Sequence, residues 1–185
     1  MRRTLYAIPA LFLTAACAQD GLTVVRPAQF DYAYERDFQN SVARYGDVPT
    51  LVLGNPFDEP IGEVEQAVTA ALKGSYFGPE LSFAPVEPET EAPYRLLVVF
   101  NPAPGARADK VCEKSDQPLE PSEDGVTVMM ALCASTYRVS STVGYNASVQ
   151  KPEGPAFEGL MQRTLSTLLQ PQRYDINSRE DRRRT

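Results

Sequence analysis

Three cysteines, Cys17, Cys112 and Cys133, are the most reactive side chains in a chain of 185 residues that holds no histidine and no tryptophan. Without imidazole there is no Ser-His-Asp or Cys-His nucleophile pair, no histidine metal ligand and no histidine pH switch. Cys112 and Cys133 do not have Cys-x-x-Cys spacing, which argues against redox catalysis, and two thiolates alone are too few for a metal site. Paired carboxylates remain as an acid-base option, since a glycosidase needs only two. The acids available for it are Glu63, Glu65, Asp116, Glu120, Glu123 and Asp124. Glu63 and Glu65 stand two apart on a predicted helix and so point to different faces. The others occupy a polar stretch without the Asp-x-Asp-x-Asp-Gly calcium pattern, and none of the six has the apolar surroundings that raise a carboxyl pKa. No Walker loop, Gly-x-Ser-x-Gly elbow or dinucleotide fingerprint occurs. The chain is therefore expected not to be an enzyme and to use no metal or cofactor.

Asn55 and Asn101 are the remaining polar pair of interest, because each follows a short apolar run and precedes proline. In adjacent parallel strands both side chains would meet at the carboxyl edge of the sheet, where open α/β sheets bind ligands. Asn before Pro is also an ordinary turn starter whose side chain bonds its own backbone. The turn is the favoured reading, with ligand contact kept beside it.

Cys17 belongs to a different context. Arg2 and Arg3 precede an uncharged stretch from Leu5 to Ala16, which has the layout of a secretory signal and is too short for the ~20 residues of a membrane-spanning helix. Leu13-Thr14-Ala15-Ala16-Cys17 resembles the lipobox of bacterial lipoproteins, in which the cysteine is acylated and the chain cut before it. The family usually has Leu three residues before the cysteine, where this chain has Thr14. Ala16-Cys17-Ala18 also satisfies the small-x-small rule for ordinary cleavage, which would release a chain starting at Gln19. The cysteine count favours lipidation, because acylating Cys17 leaves Cys112 and Cys133 to pair in an oxidising periplasm. Closing that loop of about 22 residues is worth roughly 3 kcal/mol. Two or three acyl chains, palmitate among them, hold a protein on a bilayer where a single chain does not. Ala18 after the cysteine resembles the class sorted to the outer membrane, since Asp there favours inner-membrane retention in enteric bacteria.

The elements that must position these residues follow from periodicity and punctuation. Loss of residues 1–16 takes Arg2 and Arg3 from the 18 basic residues and leaves 16 against 24 acidic, a formal net of −8 that disfavours nucleic acid. Residues 17–30 read as a tether with one extended stretch at Leu22 to Val25. Residues 31–170 form a single domain. Tyr34, Phe38 and Val42 recur every four positions and predict a helix from Asp31 to Tyr45, stopped by Gly46. Thr50 to Leu53 predicts a short buried strand. Asp58 or Glu59 is placed to cap a helix with Pro60 in its first turn and Ile61, Val64, Val68 and Leu72 along one stripe up to Gly74. Leu81 to Ala84 is an edge piece before the proline-rich acidic loop 86–93. Tyr94 to Phe100 is apolar on both faces after Arg95, as a covered central strand would be. A polar loop, 103–124, leads to two antiparallel strands, Val126 to Cys133 and Tyr137 to Tyr145. Pro155 opens a last helix with Phe157, Leu160, Met161, Thr164, Leu165 and Leu168 on one face, and Pro171 closes it. The prediction is a two-layer α/β (α+β) sandwich, a mixed sheet of about four to five strands with two amphipathic helices on one face. The tail 171–185 carries five arginines against three acids and is expected to be disordered.

Gly54-Asn55-Pro56-Phe57, Phe100-Asn101-Pro102, a cysteine in the loop that follows and Ala131-Leu132-Cys133 before the hairpin together resemble a group of small uncharacterised envelope lipoproteins of alphaproteobacteria, over residues 30 to 170. The resemblance implies an envelope location and brings no activity with it. Two functions are expected to compete. One is an accessory or scaffold lipoprotein, held on the bilayer through acylated Cys17, facing the periplasm and partnered by an envelope protein. The other is a binding module for a small ligand or peptidoglycan fragment, cupped at the strand ends by Asn55, Asn101, Phe57 and Phe100.

Overall fold

A strand that is apolar on both faces needs cover on both sides, and the architecture is organised around that requirement. The computed structural model describes residues 21–31, 34, 38–74, 78–115, 119–120 and 124–171. The leader, Cys17 and the tail beyond Pro171 lie outside them. Along the described residues the elements are β1 (Val24–Val25), β2 (Gln29–Phe30), α1 (Phe38–Ala43), β3 (Val48–Leu53), α2 (Ile61–Ala71), β4 (Phe83–Pro85), β5 (Tyr94–Phe100), α3 (Ala108–Glu113), β6 (Val126–Ala134), β7 (Tyr137–Asn146) and α4 (Gly154–Leu168). The strands form one mixed sheet in the order β1-β7-β6-β5-β3-β4, with β2 also on β7. β3 runs parallel to β4 and β5, and every other pairing is antiparallel. The α/β sandwich holds, with a larger sheet than four to five strands because β1 and β2 add to it.

Alternation along β5 divides the core. Leu96, Val98 and Phe100 face the main cluster, into which α2 sends Val64, Val68 and Leu72 and α4 sends Phe157, Leu160, Met161, Leu165 and Leu168. The stripe read for the second helix is buried except Ile61, which is 46% exposed in the first turn. Pro60 itself is the N-cap of α2, and neither Asp58 nor Glu59 supplies a side-chain cap. Gly144 of β7 lets α4 approach, since a Cβ there would lie 2.2 Å from Thr164 Oγ1 and 3.1 Å from Leu160 Cδ1.

Leu97, Val99, Met129, Ala131 and Cys133 face the other way and pack on Val111 and Cys112 of α3. The stretch expected to be only a polar loop thus contributes a helix that covers the second face. Its signal was weak, since its six residues bury only Val111 and Cys112. The stretch expected to be a tether is, over 21–30, partly sheet: Val24 pairs with Tyr145 and Gln29 with Ser141. Of the helix expected over 31–45, α1 and the buried Tyr34 are described, and Tyr34, Phe38 and Val42 share the main core. β6 and β7 pair with a register shift between Leu132 and Cys133, so Cys133 sits opposite Arg138 and Val139 is the extra residue. That bulge turns Val139 into the main core and leaves Arg138 on the face of α3.

Candidate functional site

The cysteines expected to pair are bonded. Cys112 and Cys133 form a disulfide with Cα atoms 5.7 Å apart, fastening α3 to β6. Arg95, opposite Cys133 in the β5–β6 register, donates from Nη2 to the Cys112 carbonyl at 2.8 Å, a second tie to the same helix. Both sulfurs are buried among apolar side chains, the setting of an inert crosslink.

Asn55 takes the turn role, bonding its own local backbone, whereas the Asn101 side chain bonds across to the strand beside it. Asn55 Oδ1 accepts from the Phe57 amide at 3.0 Å and its Nδ2 donates to the Glu59 carbonyl at 2.7 Å, closing the loop that leads into α2. Asn101, at φ 43°, accepts the Thr127 amide on Oδ1 at 2.9 Å while its own amide bonds the Thr127 carbonyl at 2.8 Å. The β5–β6 ladder is thereby extended one residue beyond β5. Gly54, at φ 81°, permits the close pass of this turn over the Phe100 carbonyl, which would lie 2.9 Å from a Cβ. The rings expected to line a cup close on one another instead. Phe57 meets Phe100 edge-on at 5.6 Å between centroids and Phe157 at 5.9 Å, all three buried.

None of the six candidate carboxylates is expected from sequence to have a raised pKa. Glu65 is nonetheless raised above the ordinary carboxyl range, first by partial burial and then by the nearby charge of Glu87, an effect missed in sequence because the two stand far apart in the chain. Asp116 and Glu123 lie outside the described residues. Among the described residues no group of three or more Cys, Asp or Glu side chains is placed to hold a metal ion.

Among the described residues, the spaces large enough for a ligand lie at the surface. The void within the apolar interior, beside Val42, Leu96 and Leu165, is about 10 Å³, far below the ~300 Å³ of a ligand chamber. An open cleft of about 550 Å³ runs along Glu89, Glu91, Arg95, Ser135 and Thr136. Arg95 is among its lining residues, and the Arg95 Nε is buried with no hydrogen-bond partner among the described residues. A second open groove, about 370 Å³, lies between β7, the start of α3 and the segment joining β1 to β2.

Comparison with solved structures finds likeness to the PelC dodecamer of Paraburkholderia phytofirmans. A form of it carrying one leucine-to-methionine substitution is 18% identical, with a TM-score of 0.43 over 82% of this chain and 100% of that one. A second PelC dodecamer structure from the same organism gives 16% identity and a TM-score of 0.40 with the same coverage. No family model matches the chain, and no curated protein is similar to it.

Proposed function

We propose that the protein is a lipid-anchored lipoprotein of the bacterial envelope, facing the periplasm from the outer membrane and serving as an accessory or scaffold for an envelope complex, without catalysis of its own. The observation that carries this reading is how the domain uses its residues. The strand ends that would cup a ligand are filled by Phe57, Phe100 and Phe157, and the interior void is about 10 Å³. Among the described residues this leaves the surface for function. The buried Cys112–Cys133 disulfide fits an oxidising compartment, and it leaves Cys17 as the one cysteine available for acylation.

Binding of a small ligand or peptidoglycan fragment stays as a second reading because of the cleft at Arg95, whose unpaired Nε and neighbouring Ser135 and Thr136 offer polar contacts. In-cell crosslinking of the full-length protein, followed by mass spectrometry, separates the two. One abundant envelope partner crosslinked through one face is expected. Capture of nothing specific, with a muropeptide or lipid extracted from the purified domain, would overturn the scaffold in favour of the binding module.

A further inference from the structure

The groove of about 370 Å³ is lined by Arg26, Arg107 and Arg138, with Asp109 the one acid among its lining residues. Asp109 is engaged by Arg107, whose Nη2 lies 2.8 Å from Oδ2. Arg138, turned to this face by the bulge in β7, is held from Nη1 by the Gln29 carbonyl at 3.0 Å. Arg26 has no ion pair among the described residues, and it is exposed. Val143, half-buried, adds apolar surface to the groove, while Met129, also on its lining, is buried in the second core cluster. Such a concentration of positive charge stands out on a chain whose residues 17–170 carry 11 basic against 21 acidic side chains. Arginine is suited to phosphate because its planar guanidinium donates two parallel hydrogen bonds.

The groove also has a fixed place relative to β1. Val24 pairs with Tyr145, and Arg26 bonds the Val143 carbonyl through its amide, so alternation puts Val24 and Arg26 on the face that carries the groove, with Leu22 two residues ahead of Val24. Leu22 and Val24 are among the most exposed apolar residues, at 77% and 51%. Cys17 precedes Gly21 by four residues, a span of at most about 14 Å. The exposed Leu22 and Val24 and an arginine with no ion pair among the described residues, next to an arginine-lined groove, match the interfacial zone of a bilayer, where lipid phosphates lie above the glycerol and first methylenes.

We infer that this groove is an anion site that takes the phosphate of an anionic membrane lipid headgroup, whose charge no choline cancels, and seats the β1–β7 edge of the domain on the bilayer. The inference rests on the lipid-anchored reading only for which surface is brought to the membrane.

The test uses the mature chain, residues 17–185, carrying Cys17→Ser so that no acyl chain contributes. Vesicles of phosphatidylcholine and vesicles of phosphatidylcholine with phosphatidylglycerol are floated with it at low and high salt. Binding is expected only to the anionic vesicles and is expected to weaken with salt. Arg26→Gln and Arg107→Gln, both at exposed side chains, are each expected to lower partitioning about fivefold and together about 25-fold. Lys73→Gln, at the end of α2 on the helix face, is expected to change nothing. Equal binding to both vesicle types, or an equal loss with Lys73→Gln, would overturn the inference. Inorganic phosphate bound in an Arg26-dependent way with no vesicle binding would also overturn it, by making the anion a soluble one. Because Cys17 is absent from the experiment, its failure is distinct from failure of the acyl anchor.

Discussion

Removing the disulfide by Cys112→Ala with Cys133→Ala should loosen one layer of the molecule while leaving the other intact. The two cysteines are 21 residues apart in sequence, and the chain-entropy cost of closing such a loop in the unfolded state is about 3 kcal/mol. The pair also fixes α3, whose only fully covered side chains are Val111 and Cys112, so little besides the bond and the Arg95 contact holds that helix on the sheet. Urea unfolding followed by circular dichroism should therefore show a loss of about 3 kcal/mol, and the melting temperature should fall by roughly 6 to 12 °C for a domain of this size. Hydrogen exchange should accelerate in residues 108–114 before it does in α4, whose apolar face is buried in the main core. A loss below about 1 kcal/mol, or exchange rising equally in α4, would refute the reasoning that the crosslink stabilises the domain by tying down the second layer.

Three further outcomes follow from the packing and charges. Gly144→Ala places a methyl 2.2 Å from the buried Thr164 Oγ1, which is itself bonded to the Leu160 carbonyl, and should cost about 1 to 3 kcal/mol in chemical denaturation. Asn101→Ala removes the acceptor for the Thr127 amide and puts alanine at a positive φ, so about 1 to 3 kcal/mol of stability should be lost, with Asn101→Gly losing less of it. Glu65 is raised by burial and by Glu87, so the folded state holds its proton more tightly than the unfolded chain. Its contribution to stability is then greatest below the unfolded carboxyl pKa and falls as pH rises through the folded one. NMR titration should find its midpoint above the ordinary range, and Glu87→Gln should bring it down; an unmoved midpoint would exclude the Glu87 contribution.

Strong periodicity was legible and weak periodicity was not. The stripe of α4 and the doubly apolar β5 specify their own burial, so both appear where sequence places them, and Cys112 pairs with Cys133 as counting suggests. The helix α3 escaped because two buried residues in six carry no period, and its place is set by the disulfide and by Arg95. β1 and β2 are two residues each, so their strand character comes wholly from pairing with β7. Asn55 was legible as a turn residue from the proline that follows it, whereas the bond from Asn101 to Thr127 and the filling of the strand ends by Phe157 depend on segments distant in sequence, 26 residues away for Thr127 and more than fifty for α4. The arginine groove was invisible for the same reason. Arg26, Arg107 and Arg138 come from three segments and meet only because a bulge in β7 turns Arg138 toward α3.

The central claim is the lipid anchor, and intact mass spectrometry of protein extracted from membranes tests it most directly. Lipidation predicts a chain running from Cys17 to Thr185 whose mass exceeds the polypeptide by two or three acyl chains and the glycerol that carries them, with the Cys112–Cys133 bond intact. A chain beginning at an unmodified Gln19 would contradict it.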